Sequence, residues 1–260
     1  MAQALPSAPR RVIVTRPHGQ HQSLMQAIAG LWPHTEVVHQ PLIRIEAVAD
    51  TAAAAQLRQR MLNIDHYQAV IAISKNAAES GLRWLDQYWP QPPVDIRWYG
   101  VGPTTADALS QELQPVEMPP QRFDSEGLLQ LPSLQQVAGE KILIWRGIGG
   151  RETLAEVLRQ RGAQVDYAEL YQRQQIDYAA QQWQSLLDSD TLLLLSSGQA
   201  LDIVQQQVPD LAQRVGGVLL PSERVAAQAA QQGFSQVLVA ASARDQDVLA
   251  QLRNWASRKQ

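Results

Sequence analysis

Short apolar runs alternate along this chain with segments whose apolar positions recur every three or four residues. The clearest unit is 141–173, KILIWRGIGGRETLAEVLRQRGAQVDYAELYQR. Lys141–Trp145 predicts a buried strand and Arg146–Gly150 a glycine-rich turn. Over Glu152–Arg161, Leu154, Val157 and Leu158 share one helical face. Gly162 ends that helix, because glycine takes the left-handed C-terminal conformation without a Cβ clash. Gln164–Tyr171 is a second extended segment.

The opening of the chain repeats this plan. Val12–Thr15 predicts a strand, Arg16-Pro17-His18-Gly19 a turn, and Leu24, Met25 and Ile28 the apolar face of a helix. Arg16 then answers Arg146, Leu24 answers Leu154 and Ile28 answers Leu158, an offset of about half the chain. The correspondence continues downstream. Ala69–Ser74 with Lys75-Asn76-Ala77-Ala78 is answered by Leu192–Leu195 with Ser196-Ser197-Gly198-Gln199-Ala200. Ile96–Val101 with Gly102-Pro103-Thr104-Thr105 is answered by Gly217–Leu220 with Pro221-Ser222-Glu223-Arg224. Pro115–Met118 and a helix from Ser125 are answered by Gln236–Ala240 and a helix from Asp245. Strands alternating with helices imply parallel sheets covered on both faces, here as two similar doubly wound α/β domains. Thr35–Val48 and Asp166–Asp177 are long for buried strands and turn polar at their far ends. They either pair antiparallel and carry the chain between the domains, or belong to two contiguous tandem halves. Residues 1–11 read as a disordered leader, and the pattern leaves the helix ends within 120–140 open.

Composition narrows the function. A chain of 260 residues with 45% hydrophobic residues builds about two ordinary cores. A net charge of −3 gives no basic face, so nucleic acid is not an expected partner. Without cysteine there is no disulfide, thiolate chemistry or Cys-ligated metal. MAQALPSAPRR lacks the apolar core of a signal peptide, and no apolar run reaches the ~18 residues of a membrane span. A soluble, cytoplasmic protein without a membrane partner is expected.

Ligands of doubly wound sheets bind beyond the carboxyl ends of the strands. There the first domain offers Arg16, Ser196, Ser197, Gly198 and Ser222. The second offers Ser74, Lys75, Asn76, Gly102, Thr104, Thr105, Arg146 and Arg151. Hydroxyls, amides and cations dominate. A glycosidase-like carboxylate pair has no candidates. His18, His21, His34, His39 and His66 look scattered, so no metal site is expected. No GxSxG elbow or GxxxxGK[ST] loop occurs, and Gly147-Ile148-Gly149-Gly150 departs from the dinucleotide fingerprint. What remains suits an anion with many acceptor oxygens, held by helix N-termini, hydroxyls and arginines. Plainer roles compete: Ser125, Ser222, Thr104 and Thr105 also suit helix N-caps, and Arg146 and Arg151 suit solvated turn positions. Tyr171, at a strand end, is either a proton donor or a half-buried aromatic.

Arg16, IAISKNAA (71–78), VGPTTA (101–106), IWRGIGGRETL (144–154), GAQVDYAELYQR (162–173) and LSSGQA (195–200), in this order, resemble the uroporphyrinogen-III synthases over most of the chain. The resemblance implies two α/β domains joined by a two-stranded antiparallel linker, residues 1–42 with 174–260 and residues 43–173. It implies a monomeric lyase with no cofactor and no metal. Its substrate would be hydroxymethylbilane, a linear tetrapyrrole with eight carboxylates, closed with loss of water and inversion of ring D. The pyrrole nitrogen expels the hydroxyl to give an azafulvene, so catalysis rests on positioning the chain for a spiro intermediate. Tyr171 aligns with the tyrosine proposed to protonate the departing hydroxyl, and Thr105 with a threonine facing the cleft. One loop departs: Ser222-Glu223-Arg224-Val225-Ala226 stands where the family has glycine, two variable residues, threonine and alanine. Two alternatives stand beside the synthase: a two-lobed polyanion-binding protein, marked by a signal peptide, and a non-catalytic regulatory relative, marked by an added DNA-binding segment.

Overall fold

The computed structural model describes residues 8–48 and 52–257, and the expected leader falls largely outside them. The chain begins β1 (Arg11–Val14), α1 (Gln22–Leu31), β2 (Glu36–His39), β3 (Ile43–Ala47), α2 (Ala52–Leu62), β4 (Ala69–Ala72) and α3 (Lys75–Tyr88). It continues β5 (Arg97–Gly100), α4 (Pro103–Leu109), β6 (Val116–Glu117), α5 (Ser125–Leu128), β7 (Lys141–Gly147), α6 (Thr153–Gln160) and β8 (Gln164–Gln175). It ends α7 (Ala180–Leu186), β9 (Thr191–Leu194), α8 (Gly198–Gln207), α9 (Leu211–Arg214), β10 (Gly217–Leu220), α10 (Glu223–Ala230), β11 (Val237–Val239) and α11 (Asp245–Ser257).

These elements form two compact units. One takes both ends of the chain, up to Arg44 and from Gln174; the other is Ile45–Arg173. The first holds a parallel sheet in the order β11-β10-β9-β1-β2. The second holds β3-β8-β7-β4-β5-β6, parallel from β8 to β6. With β1, β2, β9, β10 and β11 set against β7, β8, β4, β5 and β6, the strand orders coincide apart from β3. The repeat read in the sequence is therefore a repeat of topology.

Period-2 alternation feeds a core on each face of each sheet. In β7, Leu143 and Trp145 enter one core while Ile142 and Ile144 enter the other. In β1, Ile13 faces one side and Val12 and Val14 the opposite side. The helices close these cores: α2, α3 and α4 on one face of the second sheet, α5 and α6 on its other face. Each fully buried Leu, Ile or Val contributes about 1.5–3 kcal/mol.

Three local expectations are corrected. Thr35–Val48 is not one ribbon: it breaks between β2 and β3, at Pro41, which has no N–H to give a ladder. The strand expected to end at Trp145 runs to Gly147, because Arg146 is buried and paired with Glu169 of β8. Ser125 is not a cap; Asp124 caps α5 by accepting from the Gly127 N–H at 2.8 Å. The helix ends within 120–140 resolve into α5 and one 3₁₀ turn, Pro132–Leu134. Beside β8, the Leu42 carbonyl accepts from the Ile176 N–H, and Gln172 reaches Glu46. Residue numbers thus rise along β3 as they fall along β8, an antiparallel pair spanning both crossings of the chain.

Within α3, Gly81 lies against the indole of Trp145, where a Cβ would approach Trp145 Cε3 to 2.1 Å. Gly81→Ala should therefore destabilise the protein despite a helix-propensity gain of about 1 kcal/mol, since overpacking costs about 1–3 kcal/mol. The expected readout is a lowered urea midpoint.

Candidate active site

In the second unit the strand ends meet helix starts in one repeated geometry. Ser74 is extended, at φ −164° and ψ 160°, and its Oγ accepts the Ala77 N–H at 3.1 Å to cap α3. At the start of α4 Gly102 takes the cap position, with Pro103 next, so Thr104 and Thr105 are not caps. Thr104 is exposed and Thr105 is buried. Lys75 is exposed and 3.4 Å from Glu79, and Asn76 is half-buried at the same helix start.

Tyr171 is delivered here by an irregularity in β8. The β7–β8 register runs evenly to Arg146↔Glu169 and then jumps to Gly147↔Tyr171. One extra residue in a strand turns the following side chain to the other face. Leu170 and Tyr171 accordingly enter the same core, on the side of α3. The phenol is buried, and its Oη lies 3.0 Å from Ser74 Oγ. Gly147 makes this fit possible, because a Cβ there would lie 2.6 Å from Tyr171 Cε2. Arg173, two residues on and exposed, holds its guanidinium carbon 6.0 Å above the Tyr171 ring. Sequence reasoning missed Arg173, although residues i and i+2 share a strand face.

The glycine-rich turn does not keep Arg146 for a ligand. Only 2% of that side chain is exposed. Its Nη1 donates to Glu152 at 2.9 Å, its Nη2 to the Gly149 carbonyl, and it lies 4.5 Å from the centre of the Tyr167 ring. Tyr167 donates to the other Glu152 oxygen. The Tyr167 hydrogen bond, followed by Arg146, holds the Glu152 carboxyl below the usual carboxylate range. Burial, then Glu152, pushes the Tyr167 phenol up. Glu152, the N-cap residue of α6, thus gives its carboxylate to Arg146 and Tyr167 and makes no side-chain bond to the helix start. Arg151 stands out at 79% exposure, 3.9 Å from Glu126.

In the first unit, Ser197 caps α8 through the Ala200 N–H at 3.1 Å, and Ser222 caps α10 through the Val225 N–H at 3.4 Å. Both are extended like Ser74. Gly198 opens α8 and Ser196 precedes it, both half-buried. Glu223 and Arg224 are exposed. Arg16 pairs with Asp245 and donates to the Ala243 carbonyl at 2.5 Å. Arg16, Ser196, Leu194 and Pro221 line a crevice of about 10 Å³, room for about one water.

The histidines are not all scattered. His18 and His21, in the turn after β1, meet His39 at the end of β2, with ligand-capable atoms all within 4.8 Å of one another. The His21 and His39 rings stack at 3.5 Å, and His18 sits edge-on to His39 at 4.9 Å. Burial, then the charge of His21 and His18, lowers His39 against the opposing hydrogen bond to the Arg16 carbonyl. Linear spacing concealed the third member, which the parallel β1–β2 pairing brings in.

The family described as "Uroporphyrinogen-III synthase HemD" matches residues 34–250. The uroporphyrinogen-III synthase of Escherichia coli strain K12 is 32% identical over 254 residues, covering 92% of this chain and 97% of that protein. That of Proteus mirabilis is 36% identical over 176 residues, covering 66% and 84%. The fold matches a mutant uroporphyrinogen III synthase of Thermus thermophilus at a TM-score of 0.58 and 14% identity, over 96% of this chain and 99% of that one. It matches the Helicobacter pylori uroporphyrinogen-III synthetase at 0.57 and 15%, over 93% and 97%. The duplicated α/β topology and the sequence agree, and the chain belongs to the uroporphyrinogen-III synthase family.

Proposed function

We propose that the chain, by its family a cyclising lyase of tetrapyrrole biosynthesis, closes hydroxymethylbilane without a cofactor and uses Tyr171 as its proton donor. The observation that carries this reading is the Tyr171–Ser74 pair at 3.0 Å, set by the β8 irregularity at the carboxyl edge of the second sheet. Ser74 Oγ accepts the Ala77 N–H, which leaves its own proton for Tyr171 Oη. As the C–O bond breaks, Tyr171 gives its proton to the departing hydroxyl and water leaves. The pyrrole nitrogen supplies the electron pair, and the azafulvene carbon becomes the electrophile. The phenolate is stabilised by Ser74 at a helix N-terminus. It recovers a proton when the new carbon–carbon bond has formed and the ring rearomatises.

The remaining groups suit eight carboxylates better than acid–base work. Lys75, Asn76, Thr104, Thr105, Arg151 and Arg173 serve the second unit. Ser196, Ser197, Gly198 and Ser222 serve the first, with Arg16 shared with Asp245. Arg146 is a positioning residue: it holds the turn that places Gly147 opposite Tyr171. We place the reaction in the cytoplasm, with a single chain as the working unit; among the described residues no helix is long and apolar enough to cross a membrane.

The direct test is chromatography of products from freshly made hydroxymethylbilane. Enrichment of the type III isomer over the spontaneous type I is expected; type I alone, with the bilane supply verified, would overturn the reading. Tyr171→Phe should lower kcat about 10²-fold with little change in KM. Gly147→Ala should act in the same direction by displacing the ring. Arg151→Ala should instead raise KM several-fold at nearly unchanged kcat, seen in steady-state kinetics, because its charge acts on binding alone.

A further inference from the structure

We propose that His18, His21 and His39 form a binding site for one borderline divalent metal ion of the zinc class, tying the turn after β1 to the end of β2. The two chain segments are fixed independently of any ion. Parallel pairing sets Val14 beside His39, and the Gln40 N–H donates to the Val14 carbonyl at 3.0 Å. His39 therefore stands next to the turn that leaves β1. His21 is the N-cap residue of α1 and makes no side-chain capping bond, so its ring is not spent on the helix. Its Nδ1 is buried and has no hydrogen-bond partner. A buried, unpaired nitrogen is costly unless something binds it.

The donor set suits this chemistry. Three neutral imidazoles select zinc-class cations over magnesium or calcium, which prefer oxygen ligands. A His₃ set leaves a fourth, open position. Exposure of His18 gives that position access to solvent, so water or a carboxylate oxygen can fill it. His39 already carries the outer hydrogen bond that orients a metal ligand. Its Nε2 lies 2.8 Å from the Arg16 carbonyl, an acceptor only, so Nε2 holds the proton and the lone pair resides on Nδ1. Tetrahedral zinc, at about 2.0–2.1 Å from each nitrogen, sets its ligand atoms roughly 3.3 Å apart. The three rings, with atoms within 4.8 Å, reach this by side-chain rotation that exchanges the His21–His39 stack for coordination. No exposed carboxylate needs to join.

The test uses full-length protein without a polyhistidine tag, stripped with chelator and titrated with Zn²⁺ by calorimetry. One equivalent should bind, and at hundredfold excess over Kd the Tm should rise by about 5 °C. In imidazole-detected NMR, three of the five histidines should shift. His21→Gln and His39→Gln should each weaken binding at least tenfold, and His34→Gln should leave it unchanged. Circular dichroism of the stripped variants verifies that they fold. Absence of saturable one-to-one binding, or the same binding in the variant with all three residues changed to Gln, would overturn the proposal.

Discussion

Parallel pairing is the constraint on which the rest of this structure depends. A parallel strand cannot return through a tight hairpin, so each must be followed by a crossover, here mostly helical. Every such crossover leaves a helix start beside a strand end, and the unpaired N–H groups there must be met. The chain meets them the same way repeatedly: Ser74, Ser197 and Ser222 all accept from the N–H three residues on, all in extended backbone. Gly102 adopts the same extended conformation without a side chain to cap with. The edge that carries chemistry is thus the edge the topology makes polar.

The same constraint explains why the most conspicuous cation is enclosed by the protein's own acceptors. Arg146 is the next-to-last residue of a strand flanked by two others, β4 and β8, and a guanidinium buried there requires a carboxylate and further acceptors. Glu152 and the Gly149 carbonyl supply them, with the face of Tyr167 completing the enclosure. Breaking that set would leave a buried charge unpaired. The arginine is therefore committed to the turn, whereas Arg151, Lys75 and Arg173 are exposed. A reaction whose leaving group is expelled by its own pyrrole nitrogen tolerates such a surface, since it demands placement more than proton traffic.

Much of this was legible in the sequence because it depends on local pattern. The apolar run of Lys141–Trp145, read as a buried strand, and the apolar stripe of Leu154 and Leu158 each appear in the cores. The half-chain repeat reappears as one strand order used twice. What escaped reading depends on contacts between distant residues. The break at Pro41 depends on β2 and β3 joining different sheets. The slip between Arg146 and Gly147 has no composition of its own; only the pairing with Glu169 and Tyr171 reveals it. The histidine trio needs β1 beside β2. Helix α2 was missed because an alanine-rich stretch carries little amphipathic contrast.

The duplication also shows where the two halves parted. β7 and β8 in one unit correspond to β1 and β2 in the other. In the first pair Arg146 is followed by Gly147, and the missing Cβ admits the ring of Tyr171. In the second pair Arg16 is followed by Pro17, which has a Cβ and no N–H, and the facing strand ends in His39; His39 pairs with Val14 as Tyr167 pairs with Ile144, so it answers Tyr167 and not Tyr171. The imidazole bonds the Arg16 carbonyl and stacks on His21. One scaffold thus carries a hydroxyl pair, Ser74 and Tyr171, in one unit and an imidazole trio, His18, His21 and His39, in the other, at positions that the repeat does not superpose.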